Sequence, residues 1–232
     1  MQNRYVIYLM LTITILSSTV AAQNRGVLTT DPAFYAVSYV EVLPGSRAMA
    51  VTALKQYRDA SRKDEGFVSL ELFEQIGSPA HFALLEKWAE QKAFDAHAMS
   101  AHTKQMLMKL DPIRVGPYDQ RPYRTLAIGP APAAVNDRAI VVLSHVDIGG
   151  RDLDAPALLR KMVEDGRKDE GNVRLDALQG STRPNHFTIV ETWQNQKVFE
   201  THAAAAHTRQ FRDTVNPYLG SPMDQRLYKV VD

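Results

Sequence analysis

Apolar residues recur along the chain with two different periods. Segments such as "FYAVSYVEV" and "FVSLELFEQ" alternate apolar and polar positions, which predicts strands with one face buried. Between such segments the apolar spacing is helical. Leu158, Leu159, Met162 and Val163 share one face of a predicted helix, and Asp154 stands at its N-cap position.

The same succession of elements occurs twice. The segment from Arg62 matches the segment from Arg167, 105 residues later, without a gap, and both begin with "RKDEG". Of 65 aligned positions, 27 are identical. Identity over this length indicates a tandem duplication, with repeats at 33–126 and 138–231. The stretch 127–137, rich in Pro and Ala, is typical of a linker.

Each repeat follows the order β-α-β-β-α-β, which is typical of a ferredoxin-like fold. Gly66 and Gly171 follow the first helix and are expected in the left-handed conformation that ends helices. One such unit leaves one sheet face without helices, and that face needs a partner. We therefore predict an α+β fold in which two ferredoxin-like repeats form an intramolecular, pseudo-dimeric α+β barrel.

The first 22 residues differ from the rest. Arg4 is followed by an apolar run from Tyr5 to Leu16 and by "VAA" before Gln23. This pattern predicts a signal peptide cleaved after Ala22, and hence a periplasmic or secreted protein. An uncleaved anchor is the alternative, although the apolar run is short for a membrane span.

The composition of the chain excludes several classes of function. The 27 basic and 26 acidic residues nearly balance, so the charge does not indicate nucleic-acid binding. There is no cysteine, which excludes thiol catalysis, cysteine–metal sites and disulfides. No phosphate-binding loop of the G-x-x-x-x-G-K-[ST] type occurs.

A glutamate shares a face with apolar residues in the third strand of each repeat. The strand period places Glu86 beside Trp88, and Glu191 beside Trp193. A carboxylate on such a face needs a partner or has a raised pKa. A backbone amide or an arginine would satisfy it, and each tryptophan fits either core packing or a pocket wall.

A histidine pair with a spacing of five residues follows in each repeat, in "FDAHAMSAHTKQ" and "FETHAAAAHTRQ". Phe94, His97 and Ala101 lie at i, i+3 and i+7, so we expect His97 to point into the protein. The corresponding residues of the second repeat are Phe199, His202 and Ala206.

The second histidine of each pair falls on another face. His102 aligns with Met106 and Leu110, which predicts a separate short helix if a break falls near Ser100. The corresponding residues of the second repeat are His207, Phe211 and Val215, with a break near Ala205.

Three interpretations of these histidines remain open. A helical zinc clasp uses a spacing of four, so the spacing of five argues against a metal, although Glu86 or His81 would complete a cluster. The histidines then either donate to backbone carbonyls in the core or line an apolar cavity as neutral bases.

Each repeat resembles the antibiotic biosynthesis monooxygenase-like domain. The resemblance rests on four features in order: "DEG" before a strand, "HF–x₃–E–x–W", the His–x₄–His segment and a closing strand with tyrosine. The resemblance covers nearly all of both repeats and implies a dimeric α+β barrel. It implies a monooxygenase that uses no metal, flavin or haem, and that oxidises a quinol or phenol with O₂ in a cavity between sheet and helices.

The resemblance also implies roles for particular residues. His97 and His202 would act as catalytic bases, oriented or tuned by Glu86 and Glu191. The substrate-binding residues would be Trp88, Trp193, Phe94, Phe199 and, as weaker candidates, His102 and His207.

Two other functions stay open on the sequence. Haem-degrading relatives carry an asparagine in the first strand, which both repeats lack. The alternative is a non-catalytic barrel that binds a small aromatic ligand or haem, and the plainest one is a structural barrel with filled cavities. We expect a small aromatic substrate and O₂ as partners, no nucleic acid and no membrane after cleavage, and we leave a homo-oligomer open.

Overall fold

The computed structural model describes residues 33–130, 136–150 and 152–232. The predicted signal peptide and part of the predicted linker lie outside these residues. The first repeat contains β1 (Phe34–Glu41), α1 (Arg47–Ser61), β2 (Phe67–Gln75), β3 (His81–Trp88), α2 (Gln91–Ala98), α3 (Ala101–Leu110) and β4 (Asp119–Ala127). The second contains β5 (Ile140–Asp147), α4 (Ala155–Gly166), β6 (Asn172–Gly180), β7 (His186–Trp193), α5 (Gln196–Ala203), α6 (Ala206–Val215) and β8 (Asp224–Val230).

The eight strands form one closed antiparallel barrel. Within the repeats the strand orders are β4-β1-β3-β2 and β8-β5-β7-β6. The repeats join where β2 pairs with β8 and β4 pairs with β6, so each sheet edge is covered by the other repeat. This arrangement confirms the predicted pseudo-dimer of two ferredoxin-like repeats. None of the described helices has the length and apolarity needed to cross a membrane.

Alternation along the strands divides the core into layers. The inward-facing side chains fill the barrel with a cluster that includes Tyr35, Val37, Phe73, Leu143 and Tyr228. The outward-facing side chains pack against the helices of their own repeat. The predicted faces of β3 and β7 are confirmed, because Glu86 and Glu191 face the helices from β3 and β7.

The first strands of the two repeats match with an offset different from the rest. Phe34 in β1 pairs with Trp88, whereas Ile140 in β5 pairs with Trp193. The offset is therefore 106 residues here and not 105, because the first repeat has one more residue than the second between this strand and the "RKDEG" motif. Tyr39 is consequently the counterpart of His145, and its hydroxyl lies 2.8 Å from His145 Nε2 inside the barrel.

A second contact joins the repeats inside the barrel. Arg174 on β6 donates to Glu71 on β2 at 2.7 Å and to Asp176 on its own strand at 2.7 Å. Glu71 and Asp176 are counterparts in the two repeats, since they lie 105 residues apart. One arginine thus binds two equivalent carboxylates from opposite sides of the barrel.

Candidate functional site

The two histidines of the first repeat come from different helices. The helix with His97 ends one residue later, and the Ser100 side chain caps the next helix by accepting from the Thr103 amide. The predicted break is therefore confirmed, and the His97 and His102 rings lie 5.2 Å apart. Ala101 was predicted to face inward, but it is exposed because it begins the new helix.

His97 is buried, and both of its ring nitrogens have partners. Nε2 lies 2.6 Å from the Tyr57 hydroxyl, and Nδ1 lies 2.6 Å from Asp64 Oδ2. The Trp88 ring packs against the imidazole with centroids 4.3 Å apart. Burial lowers the pKa of His97, and the hydrogen bond and charge of Asp64 oppose that shift.

Glu86 lies at the inner end of this group and has no exposed surface. Its carboxylate accepts from Trp88 Nε1 at 3.2 Å and from the Tyr57 hydroxyl at 3.1 Å. Burial raises the pKa of Glu86 to about 7, and the hydrogen bonds from Trp88 and Tyr57 oppose this rise. Its partners are therefore side chains, and not the backbone amide or arginine considered from the sequence.

Glu86, Tyr57, His97 and Asp64 form a continuous chain of hydrogen-bonding groups. The single hydroxyl proton of Tyr57 is donated either to Glu86 or to His97 Nε2, and the two arrangements differ by one proton moved along the chain. The chain leads from the core to Asp64, whose side chain is 23% exposed. Such a chain can move a proton between the surface and the buried glutamate.

The buried position of Glu86 predicts a pH-dependent stability. Its pKa is about 7 in the folded protein and about 4.5 unfolded, so only the unfolded chain releases this proton as the pH rises between these values. The wild type should lose up to about 3 kcal/mol relative to Glu86→Gln between about pH 4 and about pH 8. Urea unfolding of both proteins across this range measures the difference. A difference that stays constant with pH would contradict the raised pKa.

A groove opens beside His97 on the protein surface, with a volume of about 720 Å³. Asp64, Gly66, Ala93, His97 and Ser100 contribute to its lining. Gly66 has φ +76°, as predicted, and a Cβ there would lie 2.5 Å from the Ala93 Cβ. Glycine at this position therefore lets the loop with Asp64 lie close to α2.

The groove does not match the internal cavity that the family resemblance implies. On the inner side of His97, the space between sheet and helices contains Leu54, Tyr57 and Met106. Trp88 is fully buried behind the imidazole, and Phe94 packs against Phe34 with centroids 5.1 Å apart. A substrate in the groove would meet His97 and Asp64, and not these two aromatic rings.

The second repeat keeps most of this arrangement but lacks the tyrosine. His202 Nδ1 lies 2.6 Å from Asp169 Oδ2. Met162 occupies the position of Tyr57, so no tyrosine hydroxyl links His202 to Glu191. His202 Nε2 lies 3.4 Å from the Thr208 hydroxyl and 3.7 Å from Glu191 Oε2. The chain from surface to buried carboxylate is therefore interrupted in this repeat.

The remaining candidates of the second repeat lie in its core. Trp193 donates to Glu191 at 2.8 Å, and burial raises the pKa of Glu191 to about 7. Trp193 and Phe199 are buried in the apolar cluster between sheet and helices. His207 lies at the margin, beside a cavity of about 70 Å³, which is far below the usual size of small-molecule sites.

Two residues of the site were missed from the sequence. The repeated "RKDEG" contains Asp64, which contacts His97, whereas the neighbouring Glu65 is exposed. The identical motif in both repeats was the available signal. Tyr57 had no such signal, because the second repeat carries Met162 in its place.

Asp64 also changes the question of a metal site. Asp64, His97 and His102 each offer one ligand atom, and these atoms lie within 4.8 Å of one another. Asp169, His202 and His207 form the same cluster in the second repeat. The spacing of five residues therefore does not argue against a metal, because separate helices bring the histidines together and the loop supplies a third ligand.

The fold is shared with several solved structures. The "Putative monooxygenase" of Fusobacterium nucleatum subsp. nucleatum matches with a TM-score of 0.76 at 14% identity, over 88% of this chain and 94% of that chain. An "anthrone oxidase-like protein" matches with a TM-score of 0.71 at 13% identity, over 87% of this chain and 92% of that chain. Both likenesses concern the fold.

Sequence comparison identifies the family, which the likeness in fold does not. The "Putative monooxygenase YcnE" of Bacillus subtilis (strain 168) is 29% identical over 82 residues, which are 35% of this chain and 86% of that protein. The model of the family "Antibiotic biosynthesis monooxygenase" matches residues 33–108 and 149–214, more than half of the chain and one segment in each repeat. The chain therefore belongs to the antibiotic biosynthesis monooxygenase family and carries its domain twice in tandem.

Proposed function

We propose that the protein is a monooxygenase that oxidises a quinol or a related phenol with O₂, and that the first repeat holds the active site. The observation that carries this proposal is the hydrogen-bonded chain from Asp64 through His97 and Tyr57 to Glu86, which ends at an open groove. Membership of the family supports a small-molecule substrate and oxygen.

The chain of groups supplies the proton transfer that this chemistry needs. A phenol in the groove gives its hydroxyl proton to the Asp64–His97 pair, and Tyr57 passes the equivalent of one proton inward to Glu86. A carboxyl group with a pKa of about 7 can accept that proton near neutral pH. The resulting phenolate is rich in electrons and can reduce O₂ itself.

The reaction is balanced by the substrate alone. One oxygen atom enters a ring carbon as a carbonyl, and the two hydrogens lost from the substrate leave with the other oxygen atom as water. The substrate supplies all the electrons, so the residues of the site need only bind the phenol, accept its proton and keep the charge near His97.

The two repeats differ in the features that this function requires. The first has the tyrosine and a groove of about 720 Å³, which is within the range of small-molecule sites. The second has Met162 instead of the tyrosine and a cavity of about 70 Å³ beside His207. We therefore place the oxidation in the first repeat.

Oxygen uptake with a panel of hydroquinones and hydroxynaphthalenes tests the function. We expect uptake that depends on both protein and phenol, with one substrate oxidised for each O₂ consumed. No uptake above the rate in buffer with any phenol of the panel would contradict the proposal. A shift of the haem Soret band on titration, together with no uptake, would favour the non-catalytic alternative.

A further inference from the structure

We propose that Asp169, His202 and His207 in the second repeat bind one divalent transition-metal ion. The inference goes beyond the proposed oxidation, which lies in the other repeat. Two imidazole nitrogens and one carboxylate oxygen are a ligand set found in zinc sites and in non-haem iron sites.

The aspartate oxygen already lies near the required separation from both histidine nitrogens. Asp169 Oδ2 is 2.6 Å from His202 Nδ1 and 3.2 Å from His207 Nε2. An ion bound at about 2.0–2.2 Å from each atom needs ligand atoms roughly 3 Å apart. The two imidazole nitrogens lie within 4.8 Å of each other, and bringing them to about 3 Å would complete the geometry.

An unpartnered nitrogen supports the same assignment. His207 Nε2 is buried and has no hydrogen-bond partner, since the nearby Asp169 oxygen is outside hydrogen-bonding geometry. A buried nitrogen without a partner is unfavourable, and a metal ion would satisfy it. The counterpart in the first repeat, His102 Nε2, is within hydrogen-bonding reach of His97 Nδ1 at 3.3 Å.

The other face of His202 fits a metal ligand as well. Histidines that bind metals usually donate their second ring nitrogen to a carboxylate. With Nδ1 on the ion, Nε2 of His202 lies 3.4 Å from the Thr208 hydroxyl and 3.7 Å from Glu191 Oε2, so both oxygens are near enough to orient the ring. Met162 leaves this side free of the tyrosine hydroxyl that occupies His97 in the first repeat.

The site would keep positions for water or another small ligand. A cavity of about 70 Å³, lined by Met162, Asp165, His207 and Phe211 among others, adjoins the triad. This volume corresponds to roughly two water molecules. Two nitrogens and one oxygen favour Zn²⁺, Co²⁺ or Fe²⁺ over Mg²⁺ and Ca²⁺, which prefer oxygen ligands alone.

Binding of Zn²⁺ to the chelator-treated full chain tests the proposal by calorimetry, and Co²⁺ reports the same site by its visible ligand-field absorption. We expect His207→Ala to bind one equivalent fewer than the wild type, and Asp169→Asn to bind at least about tenfold more weakly at this site. His186→Ala is the matched control, because this half-exposed histidine of the same repeat lies outside the triad and should leave binding unchanged. Circular dichroism checks that each variant is folded.

The number of metal ions bound by each variant decides whether the triad is a metal site. Loss of one equivalent in His207→Ala, with none lost in His186→Ala, supports the site. No binding by the wild type, or equal binding by the wild type and His207→Ala, would overturn it. The titration uses neither phenol nor oxygen, so its failure leaves the proposed oxidation in the first repeat intact.

Discussion

Replacing His97 by glutamine will lower the rate of phenol-dependent oxygen uptake by about 10²–10⁴-fold, the usual contribution of a positioned general base. Glutamine cannot relay a proton between the Asp64 carboxylate and the Tyr57 hydroxyl, which lie 2.6 Å from opposite sides of the imidazole. Oxygen uptake at a fixed phenol concentration, with thermal unfolding as a check of folding, measures the effect.

The duplication supplies a matched control for this variant. His202→Gln changes the same residue type in the same local fold, and it removes a similar contact to an aspartate at 2.6 Å. Because its chain to the buried glutamate is interrupted at Met162, we expect its oxygen uptake to stay within about twofold of wild type. Equal losses in both variants would contradict an active site confined to the first repeat, and no loss in His97→Gln would exclude His97 as the base.

The largest effect on stability is expected from the arginine inside the barrel. Arg174→Met should lower the free energy of unfolding by about 1–3 kcal/mol, because Glu71 and Asp176 lose the cation that they share. Asp176 keeps its contacts with Arg167 and the Gly129 amide, which limits the loss. The side chains of Arg174 and Asp176 are 9% and 6% exposed, so water cannot replace the lost contacts well. Urea unfolding measures the change.

A surface ion pair provides the comparison for Arg174. Arg47 binds Glu74 through two hydrogen bonds, but the Arg47 side chain is 49% exposed. Arg47→Met should therefore cost much less stability than Arg174→Met, since water replaces the contacts of an exposed ion pair. If both substitutions destabilise the protein equally, the Arg174 contacts are no better shielded from water than the Arg47–Glu74 ion pair.

Fusion of two domains in one chain permits differences that a homodimer cannot have. In a symmetric dimer, equivalent positions carry the same residue on both sides. Here Tyr39 meets His145 across the barrel, and Arg174 has Ser69 as its counterpart. Tyr57 and Met162 also occupy equivalent positions. The tyrosine completes the hydrogen-bonded chain in the first repeat, and the methionine interrupts it in the second.

The sequence by itself determined the repeats, the order of elements, the helix break near Ser100, the inward face of His97 and the buried side of Glu86. The repeats follow from direct comparison of two segments of the chain. The other features depend on periodicity within about ten residues, which the fold of the remaining chain does not change. The family could be named from the same motifs.

Only the tertiary structure decided what surrounds His97. Asp64 and Tyr57 lie 33 and 40 residues from it along the chain, and packing of α1 against α3, with the loop after α1 beside α2, brings them within 2.6 Å. Packing likewise left the groove beside His97 at the protein surface, and it filled the space between the sheet and the helices on the inner side of His97. Such contacts join segments whose spacing in the sequence carries no period, so no local pattern could predict them.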